Sequence, residues 1–166
     1  MKIQEIMTRD VKSCGPEASL ATATESLRSN RCGILPVVDP QGRLLGVITD
    51  RDVCLALGAR NVRPSALHVG DIATKPAVRC GPEDEIHTAL AFMRVHRIRR
   101  IPVTAEDDGV VGIVSLDDIA LHAEKLPIKG GISYEDVAET LKAICAHRAD
   151  AAAPSTMAAG RARIRR

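Results

Sequence analysis

Aromatic side chains are nearly absent from this sequence: tryptophan is missing, and Phe92 and Tyr134 are the only phenylalanine and tyrosine. Proteins that bind single-stranded nucleic acids usually stack the bases on aromatic side chains. The net charge is also low, at +2 over 166 residues, and a charge of that size does not by itself indicate a polyanionic partner. The composition therefore argues against a nucleic-acid partner.

The sequence also has no long apolar run. A helix that spans a bilayer needs about 20 predominantly apolar residues, and no run of that kind occurs. The first five residues carry neither the apolar stretch nor the small-residue cleavage site of a secretory signal, so we interpret Met1 as the mature start of the fold. We expect a cytoplasmic protein with no membrane partner.

Spacings typical of catalytic and metal-binding sites are missing as well. The five cysteines are odd in number and never form a C-x-x-C pair, which favours small buried thiols over zinc or redox chemistry. There is no H-E-x-x-H motif, no Walker loop and no G-x-S-x-G elbow, and the histidines show no ligand spacing. We therefore expect no enzymatic activity, no metal and no required cofactor.

What the sequence does contain is one unit written twice, at a spacing of 66 residues and without a gap. The tetrapeptide Cys-Gly-Pro-Glu at 14–17 returns at 80–83. In the same register, Pro36-Val37 returns as Pro102-Val103, and conservative pairs lie between the identities. The sequence therefore predicts two copies of one structural unit.

Each copy predicts the element order βαββα, which is an α/β (α+β) fold. A short extended piece stops at the Gly-Pro turn, and a helix follows whose apolar residues recur with a period near 3.6. Two strands separated by strong turn residues then form a hairpin. Half a sheet with helices on one face leaves an apolar surface that the other copy covers. The predicted strands are 11–14, 34–38 and 44–48 in the first copy and 77–80, 101–104 and 110–114 in the second, and the second helices begin near Asp50 and Leu116.

A C-terminal extension follows the repeats. Gly130-Gly131 break the chain, and the segment from Ser133 to Asp136 has the pattern of a capping box that opens a helix. The last residues are rich in alanine and arginine and are expected to be disordered. The predicted segments are 1–66 for the first repeat with its linker, 67–125 for the second repeat, 126–148 for the helical extension and 149–166 for the basic tail, with the two repeats forming one module.

The sharpest motif ends each hairpin and has the form Gly-h-h-[Ser/Thr]-x-x-Asp, where h is an apolar residue. It places Thr49 three residues before Asp52, and Ser115 three residues before Asp118. An ionised aspartate only accepts hydrogen bonds, so it is suited to the two neighbouring hydroxyls of a ribose. The same spacing is also that of a helix capping box. The two interpretations are compatible, because a cap and a ligand can share these atoms.

This motif and the pattern before it resemble the cystathionine-β-synthase (CBS) domain family, over about residues 3–122. The resemblance implies tandem repeats with pseudo-twofold symmetry, and clefts between them that bind AMP, ADP, ATP or S-adenosylmethionine. It also implies a disc-like homodimer. By resemblance, Asp52 and Asp118 would hold ribose with Thr49 and Ser115 beside ribose or phosphate, and adenine would lie near Val11, Val78, Ile34, Ile101, Pro36 and Pro102.

A second feature belongs to one copy only. The segment at 95–103 resembles the nucleotide-binding repeats of the AMP-activated protein kinase gamma subunit, and this resemblance implies that Arg99 and Arg100 meet phosphate. Guanidinium groups suit phosphate oxygens, although a solvated basic face is the alternative interpretation. The matching positions in the first copy are Gly33 and Ile34. Two clefts that do not bind alike are therefore predicted.

The leading functional prediction is a regulatory module that senses an adenine nucleotide or a related adenosyl ligand. Its occupancy would be passed to an unknown regulated protein or to its own oligomeric state. The alternative is a non-catalytic interaction scaffold, in which the Ser/Thr-x-x-Asp motifs are only caps and the helix at 132–148 docks a partner. A weaker interpretation, in which the arginine tail contacts nucleic acid, also stays open at this point.

Overall fold

The computed structural model describes residues 1–128 and 130–151, with the backbone alone for 147–151. Its element order repeats once: a helix, an antiparallel hairpin and a second helix, followed by one further helix. The first repeat contains α1 (Leu20–Ser29), β1 (Ile34–Val38), β2 (Leu44–Thr49) and α2 (Asp50–Arg60). The second contains α3 (Ile86–His96), β3 (Arg100–Thr104), β4 (Val110–Ser115) and α4 (Leu116–Leu121), and α5 (Tyr134–Ala151) follows.

The first helix of each repeat forms where the sequence predicts it. Ser19 caps α1, since its Oγ accepts a hydrogen bond from the Thr22 amide at 3.2 Å. The apolar positions spaced by three or four residues face inward: Leu20, Ala23 and Leu27 are buried in α1. The corresponding face of α3 is buried too, at Ile86, Ala89, Leu90 and Met93.

The predicted first strand of each repeat is reduced to one paired residue. Cys14 bridges Val37 in parallel, and Cys80 bridges Val103 in the same way. The Cys14 amide donates to the Pro36 carbonyl at 3.0 Å, but the Gly-Pro turn follows at once and takes the chain away. The segments 11–14 and 77–80 are therefore extended without forming a longer ladder.

The two repeats exchange their N-terminal segments. Thr8 of the first repeat pairs with Ile113 of β4, with both N–H···O distances at 2.9 Å. Thr74 of the second repeat pairs with Val47 of β2, at 2.9 and 3.2 Å. Residues near the N-terminus, including Ile3, accordingly belong to the core of the second repeat. The repeats thus form one module, because each hairpin is completed by the other copy.

Gly46 is required by this exchange, and it provides a stability prediction. A Cβ atom at Gly46 would lie 2.7 Å from the Thr74 carbonyl oxygen, a backbone atom held by its own hydrogen bonds. We expect Gly46→Ala to lower the free energy of unfolding by about 1–3 kcal/mol. Gly58→Ala is the matched control: it lies within α2, has nothing within 4 Å of its added Cβ, and should be neutral or stabilising. Urea unfolding of both variants checks this, and an equal loss in the two would contradict it.

The described residues of the C-terminal helix pack mainly on the second repeat. α5 contacts α3 and α4, and Val137 and Ile144 pack against the second repeat's core. The helix ends three residues beyond the predicted limit of 148, and the rest of the predicted tail lies outside the described residues. Between the repeats, residues 58–71 hold the end of α2 and two short 3-10 turns. Over the described residues, no helix is both long and apolar enough to cross a membrane.

The cysteines correct one expectation, because only some of them are buried. Cys80 is buried and Cys14 partly so, whereas Cys54 and Cys145 are exposed. Burial raises the pKa of the Cys14 thiol to about 11. Burial, aided by the nearby Asp84 carboxylate, raises the pKa of Cys80 to about 12. The two exposed residues lie on α2 and α5, where the helix faces the solvent.

These pKa values predict the order in which the thiols react. With pKa values this high, less than about 1% of Cys14 and Cys80 would be thiolate near pH 8, and the thiolate is the form that reacts. We expect iodoacetamide to label Cys54 and Cys145 well before this pair under native conditions, with all five labelled after unfolding. Peptide mass spectrometry over a time course measures the order. Early labelling of Cys80 in the folded protein would contradict the burial described here.

Candidate functional site

Two clefts lie where the repeats meet, and each draws on both copies. The first cleft has a volume of about 310 Å³ and the second about 440 Å³. The first is lined by Thr8, Asp10, Val11, Lys12, residues 30–34, Arg100, Ile113, Ser115 and Asp118. The second is lined by Gly33, Ile34, Val47, residues 49–52, Thr74, residues 76–78, residues 97–100, Pro102 and Ile144.

The pairing across repeats follows from the exchanged segments. In the first cleft, Val11 of the first repeat faces the Ser115–Asp118 motif of the second. In the second cleft, Val78 of the second repeat lies with the Thr49–Asp52 motif of the first. The two clefts are thus related by the 66-residue repeat. Neither could form from one copy alone.

The hydroxyl–carboxylate motifs form capping boxes that use only one of the two carboxylate oxygens of each aspartate. Asp52 Oδ2 accepts hydrogen bonds from the Thr49 amide at 2.9 Å and the Thr49 hydroxyl at 2.7 Å. Thr49 Oγ1 in turn accepts from the Asp52 amide at 3.2 Å. Ser115 and Asp118 repeat these contacts at 2.9, 2.6 and 3.1 Å. In the described part of the chain the second oxygen, Oδ1, of either aspartate accepts no hydrogen bond.

A third box of the same kind shows that capping alone does not indicate a ligand. Ser133 and Asp136, at the start of α5, form the same three hydrogen bonds at 2.9, 2.6 and 3.1 Å. These hydrogen bonds hold the pKa of Asp136 below its usual range. Asp136 lines neither cleft. What distinguishes Asp52 and Asp118 is therefore their position in a cleft.

The two predicted phosphate ligands lie at the second cleft. Arg99 is exposed, and Arg100 is partly buried with its Nη2 3.9 Å from Asp117 Oδ2. Arg100 also lines the first cleft. Its guanidinium lies beside Gly33, since a Cβ at Gly33 would be in ordinary van der Waals contact with Arg100 Nη1, at 3.5 Å. Arg100 is therefore shared by the two clefts, whereas Arg99 belongs to the second.

Four of the six predicted adenine-pocket residues line a cleft. Val11 and Ile34 line the first, and Ile34 also reaches the second, where Val78 and Pro102 lie. Ile101 is fully buried in its repeat's core. Pro36 is buried and lines neither cleft. Ile101 faces away because side chains alternate along a strand and its neighbours Arg100 and Pro102 line the second cleft. Pro36 lies on the same strand face as Ile34, but the lining of the clefts does not extend to it.

Several lining residues were missed by the sequence reasoning. Arg31 and Arg97 are 66 residues apart, and each adopts a positive φ, 50° and 55°, at the end of its helix. Lys12 adds a cation to the first cleft and pairs with Asp10 at 2.7 Å. The repeat register could have found the two arginines. Ile144 of α5 has no counterpart in the other copy, so no repeat signal could have found it.

The described residues offer little to a metal ion. Among them no group of three or more histidine, cysteine, aspartate or glutamate side chains is placed to hold one. Apart from Cys32 in the first cleft, the ionisable groups of the clefts are aspartates and basic residues. Such a lining suits hydrogen-bonded hydroxyl groups and anions.

Comparison with known proteins matches this geometry to a family. The sequence model of the CBS domain matches residues 3–59 and 69–125. Hypoxic Response Protein I, solved with two coordinated zinc ions, is 31% identical with a TM-score of 0.68, covering 76% of this chain and all of that one. The CBS domain pair of MJ0100, solved with 5′-methylthioadenosine and S-adenosyl-L-methionine, is 26% identical (TM-score 0.67; 73% and 98% covered). CBSX2, solved with AMP, is 25% identical (TM-score 0.62; 70% and 91% covered).

Proposed function

This chain belongs to the CBS domain family, whose pairs are regulatory ligand-binding modules, and we propose that it senses an adenine nucleotide in its second cleft. The ligand would be AMP or a close relative such as ADP, ATP or S-adenosylmethionine. Asp52 would hold the ribose, Arg99 and Arg100 the phosphate, and the apolar residues around Val78 the adenine. The module would have no catalytic role, and we place it in the cytoplasm as part of the same proposal.

One observation carries the proposal: the second cleft combines a carboxylate from one repeat with two arginines from the other. Asp52 has an oxygen available for a ribose hydroxyl, and Arg99 and Arg100 line the same cavity. Even without Arg97, the lining has three arginines, Arg51, Arg99 and Arg100, against two aspartates, so the cleft favours an anion. Its volume of about 440 Å³ lies within the usual range of small-molecule sites.

The solved neighbours support the choice of ligand class. CBSX2 was solved with AMP and the MJ0100 pair with two adenosyl compounds. The first cleft has the same hydroxyl–carboxylate motif but lacks Arg99. We propose that it takes an adenosyl group with weaker dependence on phosphate. The two clefts would then respond to different members of one ligand class.

Calorimetry with AMP, ADP, ATP and S-adenosylmethionine tests the proposal on protein shown to be ligand-free. We expect binding heat with at least one of them, and saturable binding of AMP to the second cleft. Mass spectrometry of compounds that co-purify with the protein identifies a resident ligand independently. No heat with any of the four compounds would refute the nucleotide proposal.

The alternative, an interaction scaffold without nucleotide, rests on exposed apolar side chains. Leu55 on α2 and Leu121 on α4 are 66 residues apart, and their side chains are 58% and 84% exposed. Exposed apolar patches of this kind mark interaction surfaces, and a homodimer formed through these helices would cover both. Analytical ultracentrifugation of the wild type and of Leu55→Asp/Leu121→Asp tests the dimer. A dimer that forms without any nucleotide binding would favour the scaffold.

A further inference from the structure

Of the two clefts, the described residues of helix α5 contribute to the second. Ile144 lines this cleft beside the segment 97–100. No described residue of α5 lines the first cleft, because the helix follows the second repeat only. The C-terminal helix therefore makes the two clefts unequal at a position outside the repeated unit.

The attachment of α5 is partly apolar and partly polar. Thr140 is fully buried, with its hydroxyl donating to the Asp136 carbonyl at 2.8 Å. Val137 and Ile144 pack against the second repeat's core. Most of the other side chains of the helix up to residue 146 are exposed; the Leu141 side chain, for example, is 46% exposed. A terminal helix whose described side chains are mostly exposed is expected to detach at lower free energy than the core unfolds.

Among the described side chains, an ion pair and a histidine–carboxylate contact join α5 to the helix that leads to the phosphate residues. Arg94 Nη1 lies 3.5 Å from Glu139 Oε2, and His87 Nε2 lies 3.8 Å from Asp136 Oδ2. Arg94 and His87 are both on α3, which ends at His96. Arg99 and Arg100 follow three and four residues later. α5 thus supports the base of the segment that carries the phosphate ligands.

We propose that α5 is the element through which the second cleft reports its occupancy. A nucleotide in this cleft contacts Ile144, so binding and the docked position of α5 stabilise each other. The inference rests on the proposed function, and it adds a further binding residue and an output element. The first cleft, which is lined by no α5 residue up to 146, has no such coupling.

The physical basis is thermodynamic linkage. A ligand that contacts docked α5 binds that state better than the detached one, and it shifts the equilibrium by its difference in affinity. By reciprocity, docking of α5 raises the affinity for the ligand by the same factor. Binding of any partner that recognises either the docked or the released helix would then depend on whether the second cleft is occupied.

Hydrogen–deuterium exchange with and without AMP tests the coupling on the full chain. We expect AMP to slow exchange in peptides covering 47–52 and 97–102, which report on the cleft, and also in 135–146 of α5. Protection of the cleft peptides without protection of α5 would overturn the inference and leave the proposed function standing. Protection confined to 8–12 and 113–118, around the first cleft, would overturn it as well. An absence of protection everywhere, together with no binding heat, would refute both.

A pair of variants separates contact with the ligand from general changes in α5. Ile144→Ala should weaken AMP binding about three- to tenfold, because it removes apolar contact area from the cleft wall, and should reduce the AMP-dependent protection of α5. Leu141→Ala, on the same helix but outside the cleft lining, should leave both unchanged. Equal AMP affinity in the wild type and both variants would show that Ile144 is not part of the site.

Discussion

Asp52→Asn should abolish most AMP binding to the second cleft while leaving the fold in place. The substitution keeps a side-chain oxygen that can accept the capping hydrogen bonds of Thr49, but it removes the charge and replaces one acceptor with a donor. Hydrogen bonds to charged groups contribute about 1.5–3 kcal/mol each. Loss of one or two of them should weaken AMP by at least about tenfold to a hundredfold, measured by calorimetry.

The chain supplies its own control for this experiment. Asp136 forms the same three capping contacts as Asp52 but lines neither cleft. Asp136→Asn should therefore cost a similar amount of stability in urea unfolding. Its effect on AMP affinity should be limited to the small loss that follows from weaker docking of α5 through His87, far below the effect of Asp52→Asn. If Asp52→Asn lowers stability but not AMP affinity, the motif is only a helix cap. That result would favour the interaction scaffold over the nucleotide sensor.

The equivalent variant in the other repeat assigns ligands to clefts. Asp118→Asn should affect only the first cleft, since Asp118 and Ser115 line that cleft alone. With Asp118→Asn the AMP-binding isotherm should keep its second-cleft component, and with Asp52→Asn it should lose that component. Loss of the same component in both variants would mean that the clefts do not bind independently.

The hairpins were predictable because their turns carry local signals. Asp39 Oδ1 accepts from the Gln41 and Arg43 amides, both at 2.9 Å, and Gly42 adopts φ +82°. Such contacts lie within a few residues, so the sequence specifies them without the rest of the fold. The 66-residue repeat then predicted the second hairpin at the equivalent positions. The predicted limits of the four hairpin strands accordingly agree with the observed ones to within one residue.

The composition of the clefts was predictable only in part. The motifs identified Asp52 and Arg99, but not which partner each would meet, because that depends on the exchange of Thr8 and Thr74 between repeats. Pairings between distant segments leave no local pattern in a single sequence. The position of Ile144 depends on how α5 packs on α3, which is again a tertiary effect. The repeat thus identified the site, while tertiary packing determined its asymmetry.

Replacing the two arginines should separate recognition of phosphate from recognition of adenosine. Arg99→Ala/Arg100→Ala should weaken AMP by about tenfold or more, since charge-assisted contacts of about 1.5–3 kcal/mol are removed, and should spare adenosine. Arg99→Ala alone should affect only the second cleft. Arg100→Ala should affect both clefts, because its side chain lines each of them.

Titrations with AMP and adenosine in parallel measure this difference. Arg43→Ala is the control, because Arg43 pairs with Asp39 at a hairpin turn and lines neither cleft.

The wild-type preference for AMP over adenosine should also shrink as salt is raised, since screening weakens exposed charge pairs, and Arg99 is exposed. An equal loss of AMP and adenosine in the double variant would mean that the arginines support the structure of the cleft. A preference for AMP that survives in the double variant would move phosphate recognition to the other basic residues of the lining, Arg51 and Arg97.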